Sequence, residues 1–399
     1  MTIPTRLNPP RQTNAVPPEW GQSLGDGAPG IALAHIARAR AGITGWEPVH
    51  RLATAMTRKP VHAHPAIASL FRGAPAVAYT LHTAGHPAYR AALVTLDDAI
   101  GTLIRLRLHA AHRRIDDGRL PQAREYDLIN GLAGLGVYLM HRHQDHELLR
   151  GILAYLVRLT RPVRVDDHTL PGWWAIGSPD RRPSPRWDGG HSGFGVAHGI
   201  CGPLALLATA MRREIVVDGH ADAIHTLSAW LEQWRTGHGR RTWWPEVIDR
   251  DELYTHSVSH PGPHRPSWCY NTPGIARALQ LASLATGNRP RARTAEQALV
   301  CCLTDDQQLV HLTDAGLCHG WAGLVHTARR AADDTDTDTD DIAVAAGAAE
   351  NRMRQHLRDR AEPSDGGLLE GTAGITLVET DQPEAAAAWP RWDACLLIG

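Results

Sequence analysis

A short glycine-containing motif, called here the glycine step, recurs along the whole chain directly before apolar stretches. Most copies read Gly-x-x-Gly, as in Gly131-Leu132-Ala133-Gly134. The seven copies begin at Gly27, Gly73, Gly131, Gly199, Asn271, Gly320 and Gly371. Neighbouring copies lie between 46 residues (27 to 73) and 72 residues (199 to 271) apart, which leaves room for a helix, a return helix and loops. Recurrence on this scale is typical of a repeat architecture.

Apolar residues with helical spacing follow the glycine steps, as Leu132, Leu135 and Leu139 follow the third copy. These stretches are apolar on nearly all sides, so we expect helices that are buried all round. The segments between them, such as 90–111 and 221–234, carry more charge and fit an outer layer. We therefore predict an all-α fold, an α/α toroid in which about seven helical hairpins form an inner and an outer ring.

The repeats also predict the domain organisation. A chain of 399 residues could hold two or three average domains, but copies spread from end to end favour a single domain over 21–399. Residues 1–20 are polar and rich in proline, so we expect a flexible segment that is not a secretion signal. Residues 331–341 include the acidic run from Asp333 to Asp341, which lacks the glycine and glutamate of an EF-hand. We expect a solvated loop insertion that the chemistry does not need.

Composition excludes several classes of function. The net charge of −1 provides no bulk field that favours nucleic acid. Lys59 is the single lysine, which excludes a P-loop and disfavours Schiff-base chemistry. No run of about 18 apolar residues is present, so we predict no membrane span. The six cysteines do not have the spacing of a disulfide framework, which favours a reducing, cytoplasmic setting.

Three soft metal ligands precede the fifth and sixth glycine steps, namely Cys269, Cys318 and His319. All inner helices of a toroid begin at one rim, so ligands from neighbouring copies can meet there. Two cysteines and one histidine are the ligand count of a catalytic zinc with one open position. We therefore predict one zinc ion per chain at this rim.

Other interpretations of these residue types are possible. Free cysteines are commonly buried as small hydrophobic residues, although the matching positions in two repeats disfavour this for Cys269 and Cys318. His256, His260 and His264 could be rival ligands, but their Pro- and His-rich loop context disfavours them. We interpret the remaining cysteines as core or incidental residues: Cys201, Cys301, Cys302 and Cys395.

Specific patterns surround the later glycine steps. They are 126–134 (YDLINGLAG), 197–203 (AHGICGP), 268–270 (WCY), Pro273-Gly274, 318–320 (CHG) and 369–374 (LEGTAG). These segments closely resemble the lanthionine synthetase C-like family, the lanthipeptide cyclases. The resemblance covers 126–374 firmly and the first two repeats weakly, and it implies the same α/α toroid.

The resemblance also implies roles for individual residues. It assigns zinc to the three ligands named above. It implies acid–base or positioning roles for His198, Asp127, Arg265 and Tyr270, with Trp268 in the site. One departure is Asn271, where the family usually has glycine. Asparagine tolerates left-handed backbone, so we expect the turn to survive there.

The activity implied by the resemblance is the addition of peptide cysteine thiols to dehydroalanine or dehydrobutyrine, which forms lanthionine and methyllanthionine rings. The substrate would be a dehydrated precursor peptide, and a dehydratase is a possible partner. Zinc would deprotonate the thiol. His198 could supply the proton that the enolate needs at its α-carbon. Asp127 could orient this histidine, and Arg265 could stabilise the enolate oxygen.

Two other functions remain open from the sequence. A protein prenyltransferase also combines an α/α toroid with a zinc-activated thiol, but it needs an Asp-Cys-His ligand set and a second subunit. A non-cyclising family member could bind zinc and thiols such as glutathione. Incubation with a dehydrated peptide separates these alternatives, because cyclisation removes free thiol without changing the mass.

Overall fold

The computed structural model describes residues 19–142, 147–237, 241–335, 341–359, 365–381 and 391–399. Most of the predicted flexible segment 1–20 lies outside these ranges. Its last residue, Trp20, begins a 3-10 turn that ends at Gln22 and packs against the core, so the folded part starts earlier than predicted. Among the described residues, no helix combines the length and the hydrophobicity that crossing a bilayer requires.

Seven helices, one after each glycine step, form a closed inner ring. They are α1 (Ala28–Arg40), α3 (Ala74–Ala84), α6 (Leu132–Arg142), α8 (Cys201–Arg212), α11 (Thr272–Thr286), α14 (Trp321–Asp333) and α16 (Thr372–Thr380). Each of them packs against the next, and α16 packs against α1. The predicted inner ring of an α/α toroid is therefore confirmed.

Six longer or more polar helices pack outside the inner ring. They are α2 (Glu47–Thr57), α4 (Arg90–Asp116), α7 (Glu147–Leu159), α9 (His220–Gln233), α12 (Arg289–Thr304) and α15 (Asp341–Asp359). Each contacts the inner helix that precedes it in the chain. Any outer helix of the seventh repeat would fall in 382–390, which lies outside the described residues.

Short elements complete the rim. Strands β1 (Val163–Val165) and β2 (His168–Leu170) pair antiparallel, and so do β3 (His191–Gly193) and β4 (Val247–Asp249). The remaining short helices are α5 (Ala123–Tyr126), α10 (Arg250–Thr255) and α13 (Asp306–Leu309).

Close backbone contacts explain the glycine steps. The last glycine of each Gly-x-x-Gly lies against the carbonyl oxygen six residues earlier, where a Cβ on Gly134, Gly274 or Gly323 would come within 2.1 Å, 2.0 Å or 1.9 Å of that oxygen. The first residue is not left-handed in most copies. Asn271 has φ −115° and ψ −167°, almost the same as Gly320 at −114° and −168°. The expectation of left-handed backbone at Asn271 is therefore wrong, because this position needs only extended backbone.

Residues 391–399 lie inside the ring. Tyr79 on α3 donates a hydrogen bond to the Trp392 carbonyl at 2.8 Å, and Arg277 on α11 donates to the Ile398 carbonyl at 2.8 Å. The buried Asp393 accepts hydrogen bonds from α14, including one from Arg330 at 2.7 Å. Since α3 and α11 lie on different sides of the ring, this segment fills its centre.

The acidic segment is partly structural. Asp333 ends α14, and Asp334 forms ion pairs with Arg212 at 2.8 Å and with the buried Arg277 at 2.5 Å. The prediction of a solvated loop over 331–341 is therefore wrong at its start, because Asp334 neutralises a buried arginine. Residues 336–340 lie outside the described residues, and Asp341 begins α15.

Candidate metal centre and acid–base pair

Backbone hydrogen bonds of 2.8–3.3 Å join the segments that precede neighbouring glycine steps. The donor–acceptor pairs are Leu24–Phe71, Ile129–Ala197, Ala197–Cys269, Cys269–Cys318, Cys318–Leu369 and Leu369–Gly25. They run around one rim of the toroid, at the amino-terminal ends of the inner helices. Residues that are equivalent in neighbouring repeats therefore lie side by side.

This rim brings Cys269, Cys318 and His319 together. Their ligand atoms all lie within 4.8 Å of one another, and no other such group of His, Cys, Asp and Glu occurs in the part of the chain that the structure describes. Two sulfurs and an imidazole nitrogen are the donor set that suits zinc, and three protein ligands leave a fourth position open. The residues present thus fit the predicted metal.

Hydrogen bonds within this group favour a thiolate. The Cys318 thiol and the His319 ring donate to the Cys269 sulfur, and these bonds outweigh burial and lower the pKa of Cys269 to about 5. The same contact with Cys269, together with burial, raises the pKa of the Cys318 thiol. The hydrogen bond to Cys269 also raises the pKa of His319. The fold thus stabilises negative charge on sulfur at this point.

A histidine–carboxylate pair lies on the neighbouring repeats. His198 Nδ1 is 2.8 Å from Asp127 Oδ2, and the Asp127 side chain is only 1% exposed. The backbone N–H of Asn130 donates to the other carboxylate oxygen at 2.6 Å, so both oxygens are held. The His198 side chain is 34% exposed, and its remaining ring nitrogen, Nε2, is free to act on a substrate.

Tyr270 adjoins both this pair and the Cys-Cys-His group. It follows Cys269 in the chain, and its ring centroid is 6.0 Å from that of His198. Burial and the nearby Cys269 raise the pKa of Tyr270, so its hydroxyl stays protonated.

A cavity of about 670 Å³ opens beside His198. Its lining includes Asp127, His198, Glu246 and Tyr270, together with the loop 176–184. This volume is far larger than one cysteine and one dehydroalanine need, so it can hold a peptide segment.

Arg265 lies on the metal side of the site. Its Nη1 is 3.8 Å from Asp314 Oδ2, which is itself 3.7 Å from His319 Nε2. Sequence reasoning missed Asp314. The sequence contains a signal for it, because an Asp-x-Gly pattern begins six residues before the sixth and seventh glycine steps, at Asp314 and at Asp365. In each pattern the aspartate carboxylate accepts a hydrogen bond from the backbone N–H of the glycine two residues later.

Trp268 has a different environment from the other predicted site residues. Its indole is buried, and Nε1 donates to the Leu396 carbonyl at 2.9 Å, inside the ring. It is not among the residues that line the cavity.

The three rival histidines do not join the metal group. His260 stacks on His264 with 3.6 Å between ring centroids, and His264 lies 3.7 Å from Glu246. His256 instead lies against Trp234. None of the six cysteines, all of which are described, forms a disulfide.

The family model for "Lanthionine synthetase C-like protein" matches residues 18–397 of this chain. The chain belongs to the lanthionine synthetase C-like family. The resemblance seen in the sequence is thereby confirmed, and it extends over the first two repeats. The solved structure of nisin cyclase superposes with a TM-score of 0.77 at 21% sequence identity, covering 95% of this chain and 93% of that one. At this identity the match supports the toroid fold alone. Comparison with curated proteins by sequence finds no match.

Proposed function

We propose that this family member is a zinc-dependent lanthipeptide cyclase, which adds peptide cysteine thiols to dehydroalanine or dehydrobutyrine and forms thioether rings. One observation carries the proposal: the structure forms a Cys-Cys-His group whose Cys269 directly precedes Tyr270, and the Tyr270 ring stands beside the His198–Asp127 pair. Cyclisation needs a site that activates sulfur and a separate site that delivers a proton. The two groups match these two needs.

Cys269, Cys318 and His319 would hold one zinc ion. When bound, zinc supplies a charge that deprotonates and orients the substrate thiol. The Cys269 thiolate that the fold already favours is ready to bind the metal without first losing a proton.

His198 would deliver the proton. Asp127 accepts from Nδ1, so the protonated ring presents Nε2–H to the cavity and can protonate the α-carbon of the enolate. The buried carboxylate holds the ring in this orientation. Arg265 would stabilise the enolate oxygen, since it carries a positive charge on the metal side of the site. Tyr270 would position the peptide between the two groups.

The substrate would be a dehydrated precursor peptide that enters through the cavity beside His198, with a dehydratase as a possible partner. This cavity lies at the rim that bears the glycine steps, beside the residues that precede the third, fourth and fifth steps. Six cysteines without a disulfide fit a reducing compartment, which supports the cytoplasm as the location.

The test is the metal content and activity of Cys318→Ala. We expect one zinc per chain in the wild type and strong zinc loss in the variant with the fold retained. The matched control is Cys302→Ala, which removes a buried thiol of α12 and should keep zinc. Full zinc occupancy in Cys318→Ala would refute the assignment.

Activity is followed with a synthetic peptide that carries one cysteine and one dehydroalanine. Loss of free thiol without a change of mass supports a cyclase. Zinc and thiol binding without cyclisation would instead support the non-cyclising, glutathione-binding alternative. The prenyltransferase alternative requires an aspartate in the ligand set, which the group of Cys269, Cys318 and His319 does not contain.

A further inference from the structure

A buried hydroxyl lies beside the first metal ligand. Ser267 is 1% exposed, and its Oγ is 3.6 Å from Cys269 Sγ. Buried this deeply, the hydroxyl must find its hydrogen-bond partners within the protein. Its partners can therefore be worked out from the neighbouring atoms.

Two nitrogens also contact the Ser267 oxygen. Asn271 Nδ2 is 3.2 Å away, and the backbone nitrogen of Tyr270 is 3.4 Å away. Neither an amide N–H nor a side-chain NH₂ can accept a hydrogen bond. The hydroxyl carries a single hydrogen, and of these three neighbours only the sulfur of Cys269 can accept it.

The orientation of the Asn271 amide supports this assignment. Its nitrogen also contacts the Arg265 carbonyl at 2.7 Å and Glu246 Oε1 at 3.1 Å, and both of these oxygens act as acceptors. The NH₂ end is therefore the end that faces Ser267. The Asn271 side chain thus prevents the Ser267 hydrogen from pointing toward it.

This arrangement also gives a reason for the one asparagine among the seven glycine steps. Backbone conformation does not require it, since Gly320 adopts the same dihedral angles. At Gly320 a Cβ would lie 2.2 Å from Asp314 Oδ1, so that copy has no room for a side chain. Only the copy that follows Cys269 carries a side-chain amide.

We propose that Ser267 is a positioning residue of the metal centre, which donates its hydrogen to the Cys269 sulfur, and that Asn271 sets the direction of that bond. The inference rests on the proposed zinc site and deepens it. A hydrogen bond to a thiolate ligand fixes the sulfur in its binding orientation and withdraws electron density from it. The centre then keeps more positive charge for the sulfur of the substrate.

The first experiment measures metal binding by Ser267→Ala in competition with a chelator. This variant keeps all three ligands, so zinc affinity should fall about 10- to 100-fold without full loss of metal, the usual effect of removing such a partner. Asn271→Gly should act in the same direction with a smaller effect, since it keeps the hydroxyl. The matched control is Ser228→Ala, which removes a buried serine hydroxyl that has no hydrogen-bond partner on the outer helix α9 and should bind zinc as the wild type does.

A spectroscopic measurement separates this role from a general structural one. With Co²⁺ in place of zinc, the sulfur-to-metal charge-transfer band should move to lower energy in Ser267→Ala, because the thiolate loses a stabilising hydrogen bond. A change in folding alone would not move the band in this direction.

The outcomes distinguish the two proposals. If the wild type binds no zinc, the proposed metal site itself is wrong. If the wild type binds zinc through Cys318 but Ser267→Ala matches it in affinity and band energy, only the Ser267 bond is refuted. If Ser267→Ala shows both effects and Asn271→Gly shows neither, the role given to Asn271 is wrong.

Discussion

The His198–Asp127 pair should act as one unit, and replacing Asp127 with asparagine tests this. The substitution removes the charge but keeps an oxygen that can accept from the Asn130 N–H, which now bonds the carboxylate at 2.6 Å. The NH₂ of the new amide would then face His198 Nδ1. The imidazolium form would lose its carboxylate partner while the local backbone stays intact.

The magnitude follows from the geometry. With an Nδ1–Oδ2 distance of 2.8 Å, the two charges are centred about 4 Å apart, and at an effective dielectric constant of about 20 they attract by about 4 kcal/mol. Because the His198 side chain is 34% exposed, solvent screening lowers this to about 1–3 kcal/mol. The cyclisation rate should therefore fall about 5- to 200-fold.

The assay compares Asp127→Asn, His198→Asn and the double variant in the rate of thiol loss from the dehydroalanine peptide. His198→Asn alone should cost about 10²- to 10⁴-fold, the usual range for a general acid. If the residues act as a unit, the double variant is no slower than His198→Asn. If the rate losses of the two single variants multiply in the double variant, the shared role is refuted. Zinc loss in His198→Asn would make this histidine a ligand instead.

Two further predictions concern stability, and a third concerns the acidic segment and cyclisation. Trp268→Phe leaves the buried Leu396 carbonyl without its hydrogen-bond donor, so the free energy of unfolding in urea should fall by about 1–3 kcal/mol. An unchanged unfolding midpoint would contradict the role of this bond. Burial opposes the ionisation of Asp334, but the hydrogen bonds from Arg212 and Arg277 outweigh it and lower its pKa to about 2. A lowered pKa stabilises the fold above about pH 4, and this stabilisation is lost as the pH falls through about 2. Asp334→Asn should therefore lower the free energy of unfolding by about 1–2 kcal/mol at pH 7 and by less at acid pH. Deletion of 336–340 should leave the cyclisation rate unchanged.

The grouping of Cys269, Cys318 and His319 could be predicted because a cysteine recurs at the same position in two neighbouring repeats. Cys269 and Cys318 each stand two residues before the first residue of a glycine step, so the recurrence itself predicts that they meet at one rim. Asp314 could also be identified from recurrence, since its Asp-x-Gly pattern appears again at Asp365. Ser267 could not be identified in this way, because its role depends on which atoms surround one hydroxyl in the folded chain.

Glu246 and the segment 391–399 illustrate what local sequence cannot reveal. Glu246 belongs to no recognisable motif. It lies directly before β4, and it lines the cavity because β4 pairs with β3, more than 50 residues earlier in the chain. The segment 391–399 shows no pattern that predicts burial inside the ring. Its position depends on contacts with residues such as Tyr79, which is 313 positions from Trp392.

The sequence by itself determined the repeating unit. The start of an inner helix depends on a few neighbouring residues, because the glycine at the fourth position of a step is required by a carbonyl only six positions earlier. The apolar spacing after each step likewise determines which helices are buried. Seven such units were therefore visible without the structure, and so were the residue types that fit a zinc ion.

Only the tertiary structure decided how these units meet. Backbone hydrogen bonds between repeats place Cys269 beside Cys318 and Ala197 beside Cys269, and so put the His198–Asp127 pair next to the Cys-Cys-His group. Likewise, Asp334 is structural only because Arg277, 57 positions away, is buried and needs a counter-charge. These hydrogen bonds and ion pairs join residues that are distant in the chain. The free energy of each contact depends on burial that exists only after the ring has closed.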